Sequence, residues 1–479
     1  MSSFPKKELT KKEGTPKNSS MIHDTIAAIA TPPGMGGIGI IRISGHQALP
    51  VISGLFGKTL KGPMDCRHLE SHRVVHGYIF HPKENIVLDE VLVIPMLAPR
   101  SYTRENVVEI HAHAGPMVMR AILECIITQG IRLAEPGEFT KRAFLNNRID
   151  LTQAEAISDI ICARSTASMK MAAAQSTGKL KETITQGREM LISLLTLIEA
   201  AIDFLDEGED LISETQFLEQ IDGVIDICNQ GIKTYDDGHF LRDGIKLAIC
   251  GPPNVGKSSL MNCLLESERS IVTAIPGTTR DLIEEGINID GVPFVISDTA
   301  GMHDTKDPVE QIGIRKAKEN IARADMILFM KTAGEGISAQ EIHAIAPTYK
   351  KVIIVFNKID LMPLNFTPQL PENLQDIPHA LISARRVKGI QDLKKQILAM
   401  SAADQIDPTS VIPNLRHKIA LEKTKTALGC ARQNLMHHRE EETLAIDIRM
   451  AAESLGEITG DTADIDILDK IFSQFCIGK

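Results

Sequence analysis

From residue 22 to about residue 139, short apolar runs alternate with glycine and proline. The runs at 37–43, 91–95 and 107–111 read as strands separated by turns, and 116–129 reads as a helix, so an α+β domain is predicted there. Then the pattern changes. No proline occurs between Pro136 and Pro252, and none after Pro413. Within those stretches, 154–161, 191–198 and 444–452 carry apolar residues at helical spacing. Proline would remove backbone hydrogen bonds from such helices, so its absence over both stretches supports them. Each helical stretch alone would leave an apolar face uncovered, and one bundle built from both resolves this, with the intervening segment inserted between them. That segment, 243–400, alternates strands with helices. Strands are predicted at 246–250, 293–297, 326–330, 352–356 and 380–383, the pattern of a doubly wound α/β sheet. The expected division is therefore a disordered tail at 1–20, an α+β domain at 21–140, a first helical part at 141–242, the α/β insert at 243–400 and a second helical part at 401–479.

Composition narrows the function classes. A chain of 479 residues is too long for one ordinary core. With no tryptophan and four tyrosines, the composition argues against base stacking on aromatic platforms as a principal mode of nucleic-acid binding. A formal net charge of -10 argues against a surface that grips phosphates everywhere, though it leaves room for a local basic groove or a partner that supplies one. The eight cysteines, at 66, 125, 162, 228, 250, 263, 430 and 476, form no CxxC pair, which suits free thiols in a reducing cytoplasm. Cys66, His68, His72 and His76 could face one side of a helix and hold a metal, but the apolar residues around 74–80 read better as a strand in a polar stretch. No apolar run approaches the ~20 residues of a membrane span. The first 20 residues carry five lysines, two glutamates and no arginine, unlike a presequence or secretory signal, and Met21 is an alternative start. The expected location is cytoplasmic.

The chemistry lies in four motifs that follow in order. Residues 251–258 read Gly-Pro-Pro-Asn-Val-Gly-Lys-Ser; Gly277-Thr278-Thr279, Asp298-Thr299-Ala300-Gly301 and Asn357-Lys358-Ile359-Asp360 come after. The backbone amides of the first loop suit phosphates at a helix N-terminus, where Lys257 neutralises the β/γ oxygens. The Ser258 hydroxyl belongs on Mg²⁺, with switch residue Thr279 completing the shell and Asp298 reaching the metal directly or through water. The Gly301 amide senses the γ-phosphate. Asn357, Lys358 and Asp360 read the base, the Asp360 carboxylate accepting from guanine N1 and N2 protons that adenine lacks. Ser383-Ala384-Arg385 closes the base pocket. Four motifs on predicted strand ends imply a GTP-binding and GTP-hydrolysing chain. Yet Met302 follows Gly301, where Ras-like GTPases place a water-positioning glutamine, and a thioether cannot orient water as an amide does. Asp304, Asp307 and Glu310 are the nearby carboxylates.

Asn-Val-Gly-Lys-Ser-Ser, Gly-Thr-Thr-Arg-Asp and Asp-Thr-Ala-Gly-Met resemble the Era/TrmE class of GTPases. The segments from Thr31 to Gly39, Pro136 to Thr140 and Ala143 to Asn146, with the terminal Phe475-Cys476-Ile477-Gly478-Lys479, resemble the tRNA modification GTPase MnmE (TrmE) family more narrowly. The resemblance spans residue 21 to the end. It implies an N-terminal folate-binding domain that forms a homodimer, a discontinuous helical bundle, and an inserted Ras-like G domain. It also implies a FAD-containing partner, MnmG (GidA), in a heterotetramer. With tRNA as substrate, the pair would add an aminomethyl or carboxymethylaminomethyl group to C5 of wobble uridine, a tetrahydrofolate derivative supplying the carbon. In place of an arginine finger the resemblance implies K⁺ held by Asn254, Thr273, Ile275 and Thr278 when two G domains meet, and Glu310 as the catalytic residue. The implied GTP contacts add Val255, Gly256, Ser259, Ala274 and Pro276 to the motif residues. Folate contacts carry over to Arg42, Glu109, Arg148 and Lys479. Cys476 is a candidate nucleophile toward uridine C6, because a thiolate adding there eases chemistry at C5. The alternative, an Era-like ribosome-assembly switch, requires an RNA-binding KH module after the G domain, where this chain is helical.

Overall fold

The computed structural model describes residues 24–163, 165–203, 214–268, 284–298, 320–345, 351–401, 407, 411–437 and 441–479. The chain forms two compact units, one running to Ala154 and including Asp464–Lys479, the other Glu155–Ala463.

The first unit is built on a seven-stranded sheet. Its strands are β1 (Ile26–Ile29), β2 (Gly36–Ser44), β3 (Phe56–Gly57), β4 (Val75–Phe80), β5 (Val87–Met96), β6 (Val107–Ala114) and β7 (Arg132–Leu133), in the order β3-β4-β5-β6-β2-β1-β7. All neighbours pair antiparallel except β1 with β7. Strand alternation sends Ile41, Ile43, Val91, Val93, Val108 and Ile110 to one buried face, where Ile122 and Ile126 of the helix Pro116–Ile127 meet them. Arg42 and Glu109 therefore fall on the opposite face, directly across from each other in the β2–β6 register. The strand predicted around residues 74–80 is β4. Cys66 is buried in the core with its thiol pushed up to about 11 by burial, while His76 stands on the exposed face against Glu90.

The C-terminal residues belong to this unit rather than extending the second helical stretch. Helices Glu138–Leu145 and Ile465–Phe472 pack together through Phe144 and Phe472, whose rings are 6.3 Å apart. Lys141 Nζ and Asp469 Oδ1 add an ion pair at 2.5 Å. At the tail, Gly478 has φ 92, and a Cβ there would lie 2.6 Å from the Ile29 carbonyl oxygen, so only glycine lets the tail close on β1.

In the second unit, helices Lys179–Asp203, Glu214–Gly238, Leu415–Met436 and Glu441–Thr459 share one core. Leu191, Leu194, Ile221 and Val224 come from before the α/β segment, and Leu428, Ala431, Ile448 and Leu455 from after it. One bundle from two distant stretches is thus what buries both apolar stripes. Beside it, Glu155 accepts from Arg416 at 2.9 Å and pairs with fully buried His417 at 2.8 Å.

The α/β part is a six-stranded sheet of β8 (Ile245–Cys250), β9 (Glu284–Ile289), β10 (Val292–Asp298), β11 (Met326–Thr332), β12 (Lys351–Asn357) and β13 (His379–Leu381), ordered β13-β12-β11-β8-β10-β9. Only β9 is antiparallel. It is an edge strand opening Glu-Glu-Gly, poor strand formers, which is why the apolar pattern did not announce it. The last predicted strand stops at Leu381, because Ser383 turns the chain to bridge Lys388. Strand order reverses at β8, which puts a crevice at its C-terminal end. Among the described residues no helix is long and apolar enough to cross a membrane.

Candidate functional site

At the C-terminal end of β8 the loop 251–256 leads into the helix Lys257–Glu268. The loop turns through left-handed backbone at Asn254, φ 57, and at Gly256, φ 100. A Cβ on Gly256 would sit 2.4 Å from the Asn357 amide nitrogen, so glycine is what allows the two to approach. Asn357, at the end of β12 and 3% exposed, joins the two halves of the site. Its Nδ2 donates to the Val255 carbonyl at 2.8 Å, and its Oδ1 accepts from the Ala384 amide at 3.0 Å. One side chain thus fixes the loop 251–256 against the turn that begins at Ser383. Lys358, also left-handed at φ 66, donates from Nζ to the Asn254 carbonyl at 2.7 Å.

Ser383 Oγ donates to Asp360 Oδ1 at 2.7 Å, and this bond holds the Asp360 carboxyl below its ordinary value. The carboxylate is thereby an oriented acceptor just beyond the end of β12. Cys263 adds a bond from its thiol to the Ala384 carbonyl at 3.0 Å. Lys257 Nζ donates to the Gly251 and Pro252 carbonyls, each at 2.9 Å, which holds the ammonium over the loop where phosphate oxygens would lie. Ser258 and Ser259 lie exposed in the first turn of the following helix. The Ser258 hydroxyl is a hard oxygen donor that suits Mg²⁺.

Asp298 ends β10 one strand away from β8, paired in register with Ile249. Thr273, Ala274, Ile275, Pro276, Gly277, Thr278, Thr279, Thr299, Ala300, Gly301, Met302, Asp304, Asp307 and Glu310 lie outside the described residues.

A second cluster lies in the first unit. Arg42 donates through Nε and Nη2 to Glu109 Oε1 at 2.9 and 2.8 Å, and through Nη1 to the Gly478 carbonyl at 3.2 Å. Burial pushes the Glu109 carboxyl up, but the Arg42 charge and hydrogen bonds, with His111 Nε2 at 3.3 Å, outweigh it and hold the group below its ordinary value. The pair opens onto a cavity of about 570 Å³ lined by Arg42, His72, Met96, Pro99, Arg100, Ser101, Tyr102, Arg104, Glu109 and Arg148. Three of the four expected folate residues are thus brought to one cavity. Lys479 is next to Gly478 and bonds through its amide to the Cys476 carbonyl at 3.3 Å. Cys476 itself is exposed.

Sequence reasoning missed Tyr102. Its ring lies under two guanidiniums, 5.4 Å from Arg42 and 4.8 Å from Arg148, and its hydroxyl pairs with Thr140 at 2.9 Å. The scarcity of tyrosine was the available signal. Arg100 and Arg104 were also missed, since a single surface arginine carries no pattern.

The family model for the MnmE helical domain matches residues 151–476, and that for the GTP-binding protein TrmE N-terminus matches 25–148. The tRNA modification GTPase MnmE of Natranaerobius thermophilus is 42% identical over 462 residues, covering 96% of this chain and 100% of that protein. The tRNA modification GTPase MnmE of Carboxydothermus hydrogenoformans is 42% identical over 466 residues, with the same coverage of both chains. Among solved structures, Era of Aquifex aeolicus aligns at 32% identity over 38% of this chain and 66% of its own, with a TM-score of 0.28. Matched along nearly its whole length, the chain belongs to the family of tRNA modification GTPases called MnmE.

Proposed function

We propose that this chain is the GTP-hydrolysing component of a tRNA wobble-uridine modification system, working as a homodimer with a FAD-containing partner of the MnmG kind. The observation that carries the nucleotide half is the Asn357 bridge, which sets the oriented Asp360 carboxylate and the Lys257 ammonium in one frame. Asp360 selects guanine by accepting from N1 and N2, and Lys257 takes charge from the β/γ oxygens. Ser258 would hold Mg²⁺, and Asn254 would join Thr273, Ile275 and Thr278 around K⁺. When bound, these cations offset the negative charge that develops at the β/γ bridge. Glu310 orients the attacking water in the role that Met302 cannot fill.

The cleft beside Arg42 and Glu109 is proposed to hold a tetrahydrofolate derivative, with Arg148 and Lys479 contributing charge. Its fit rests on the paired donor and acceptor, Arg42 and Glu109, at a cavity within the roughly 300–1,000 Å³ typical of ligand pockets. The folate would supply one carbon and the partner's flavin the redox step. Cys476, exposed in the tail, is proposed as the thiol that adds to the uridine ring.

Mass spectrometry of wobble uridine from cells lacking this chain tests the reading. Loss of an aminomethyl or carboxymethylaminomethyl group at C5 is expected, and unaltered uridine would overturn it. GTP turnover should be faster in K⁺ than in Na⁺ at matched ionic strength, and Glu310→Ala should slow turnover while sparing nucleotide affinity. Equal rates in the two salts would remove K⁺ from the mechanism.

A further inference from the structure

The cavity of the first unit carries more positive charge than the Arg42–Glu109 pair consumes. Among the described residues Glu109 is the one acidic group in its lining, and both Nε and Nη2 of Arg42 are committed to it. Arg100, Arg104 and Arg148 stand in the same wall. Two of them rest on neutral groups: Arg148 lies 4.8 Å over the Tyr102 ring, and Arg104 donates from Nη1 to the Asn146 carbonyl at 2.9 Å. Ring and carbonyl orient a guanidinium without cancelling its charge. Arg104 is moreover in left-handed backbone at φ 60, an uncommon conformation for a residue with a Cβ. Three like charges gathered at one cleft repel one another and focus a positive potential into it. Such a wall suits a chain of carboxylates, because each guanidinium can take one through paired N–H donors.

We propose that Arg100, Arg104 and Arg148 bind the oligo-γ-glutamyl tail of a tetrahydrofolate derivative. This rests on the folate reading of the cleft. The ring system engages Arg42 and Glu109 at the sheet, and the tail runs outward along the arginine wall. Each added glutamyl unit brings one more α-carboxylate, so length of tail becomes affinity.

The test compares equilibrium binding of monoglutamyl and triglutamyl 5-formyltetrahydrofolate to the full chain. Contacts of this partly exposed kind are individually weak, so at low salt the triglutamate is expected to bind roughly tenfold more tightly, the ratio shrinking as salt is raised. Arg100→Ala, at an exposed position, should cut that ratio to roughly threefold by removing one such contact. Arg67→Ala, a surface arginine paired with Asp65 and absent from the cavity lining, should keep the parent ratio. Equal affinity for the two forms at low salt, or a ratio insensitive to Arg100→Ala, overturns the tail assignment while leaving folate binding intact. If neither form binds, the folate reading itself fails and the proposal falls with it.

Discussion

Replacing Asn357 by alanine isolates the frame that joins the phosphate loop to the base loop. The side chain makes two buried hydrogen bonds, to the Val255 carbonyl at 2.8 Å and from the Ala384 amide at 3.0 Å. Truncation leaves both main-chain groups without that partner. A buried polar group left unpaired costs about 1–3 kcal/mol, and water entering the vacated space recovers part of it. A net loss of about 2 kcal/mol is therefore expected in the arrangement that binds nucleotide. If the loops then spend most of their time elsewhere, apparent affinity falls by the competent fraction, which at 1.4 kcal/mol per decade is roughly 30-fold. Titration of the full chain with a fluorescent GDP analogue measures this directly, below the melting temperature of the variant. Asn357→Asp sharpens the test. It keeps an oxygen for the Ala384 amide but turns a second acceptor toward the Val255 carbonyl, so its loss should equal or exceed that of alanine. Affinities within about threefold of the parent for both variants would refute the bridging role, since the energy above could not then reside in those bonds.

Asp360→Asn should weaken GTP binding by roughly 10- to 100-fold, the worth of hydrogen bonds to a charged acceptor, and should favour xanthosine triphosphate in competition binding. Unchanged preference would remove Asp360 from base reading. The Glu155–His417 pair predicts a sign for pH dependence. The Asn414 amide donates to His417 Nδ1 at 3.1 Å, so the ring is neutral and gives its Nε2 proton to Glu155. Burial holds His417 below 6.5; burial raises Glu155, but His417 and Arg416 outweigh it and hold that carboxyl well below 4.5. Both folded values are depressed, so the stabilisation is present above the unfolded values and is lost as pH falls, from 6.5 downward for His417 and from 4.5 for Glu155. Thermal melting should therefore show a smaller drop between about pH 7.5 and 5.5 in His417→Gln than in the parent, and an equal drop would refute the assignment. Glu155→Ala should destabilise the second unit by about 3–5 kcal/mol, seen as faster amide exchange in the helices Leu151–Cys162 and Leu415–Met436.

The strings at 251–258 and 357–360 were legible because each is short and contiguous, with its residues close together in the chain. Lys257 and Ser258 follow the loop within one turn of helix, and Asp360 lies three residues beyond Asn357. The two proline-free stretches likewise announced helices, since proline acts on the hydrogen bonds of its own turn. That both stretches share one core followed from apolar stripes that neither could cover alone, and Leu194, Leu428 and Ile448 meet there. Local pattern was silent wherever partners are distant. Asn357 reaches Val255 and Ala384, residues separated from it by 102 and 27 positions. Arg42 meets Glu109 only because β2 and β6 pair in one register, and a one-residue slip would turn one of the two into the core. The Gly478 carbonyl reaches Arg42 across 436 positions because the tail closes on the first unit, where a glycine alone fits against Ile29. Sequence by itself therefore determined the nucleotide, the family and most of the element types, the edge strand β9 excepted. The tertiary structure decided which side chains share a cavity, because register and tail docking are set by packing across the whole unit.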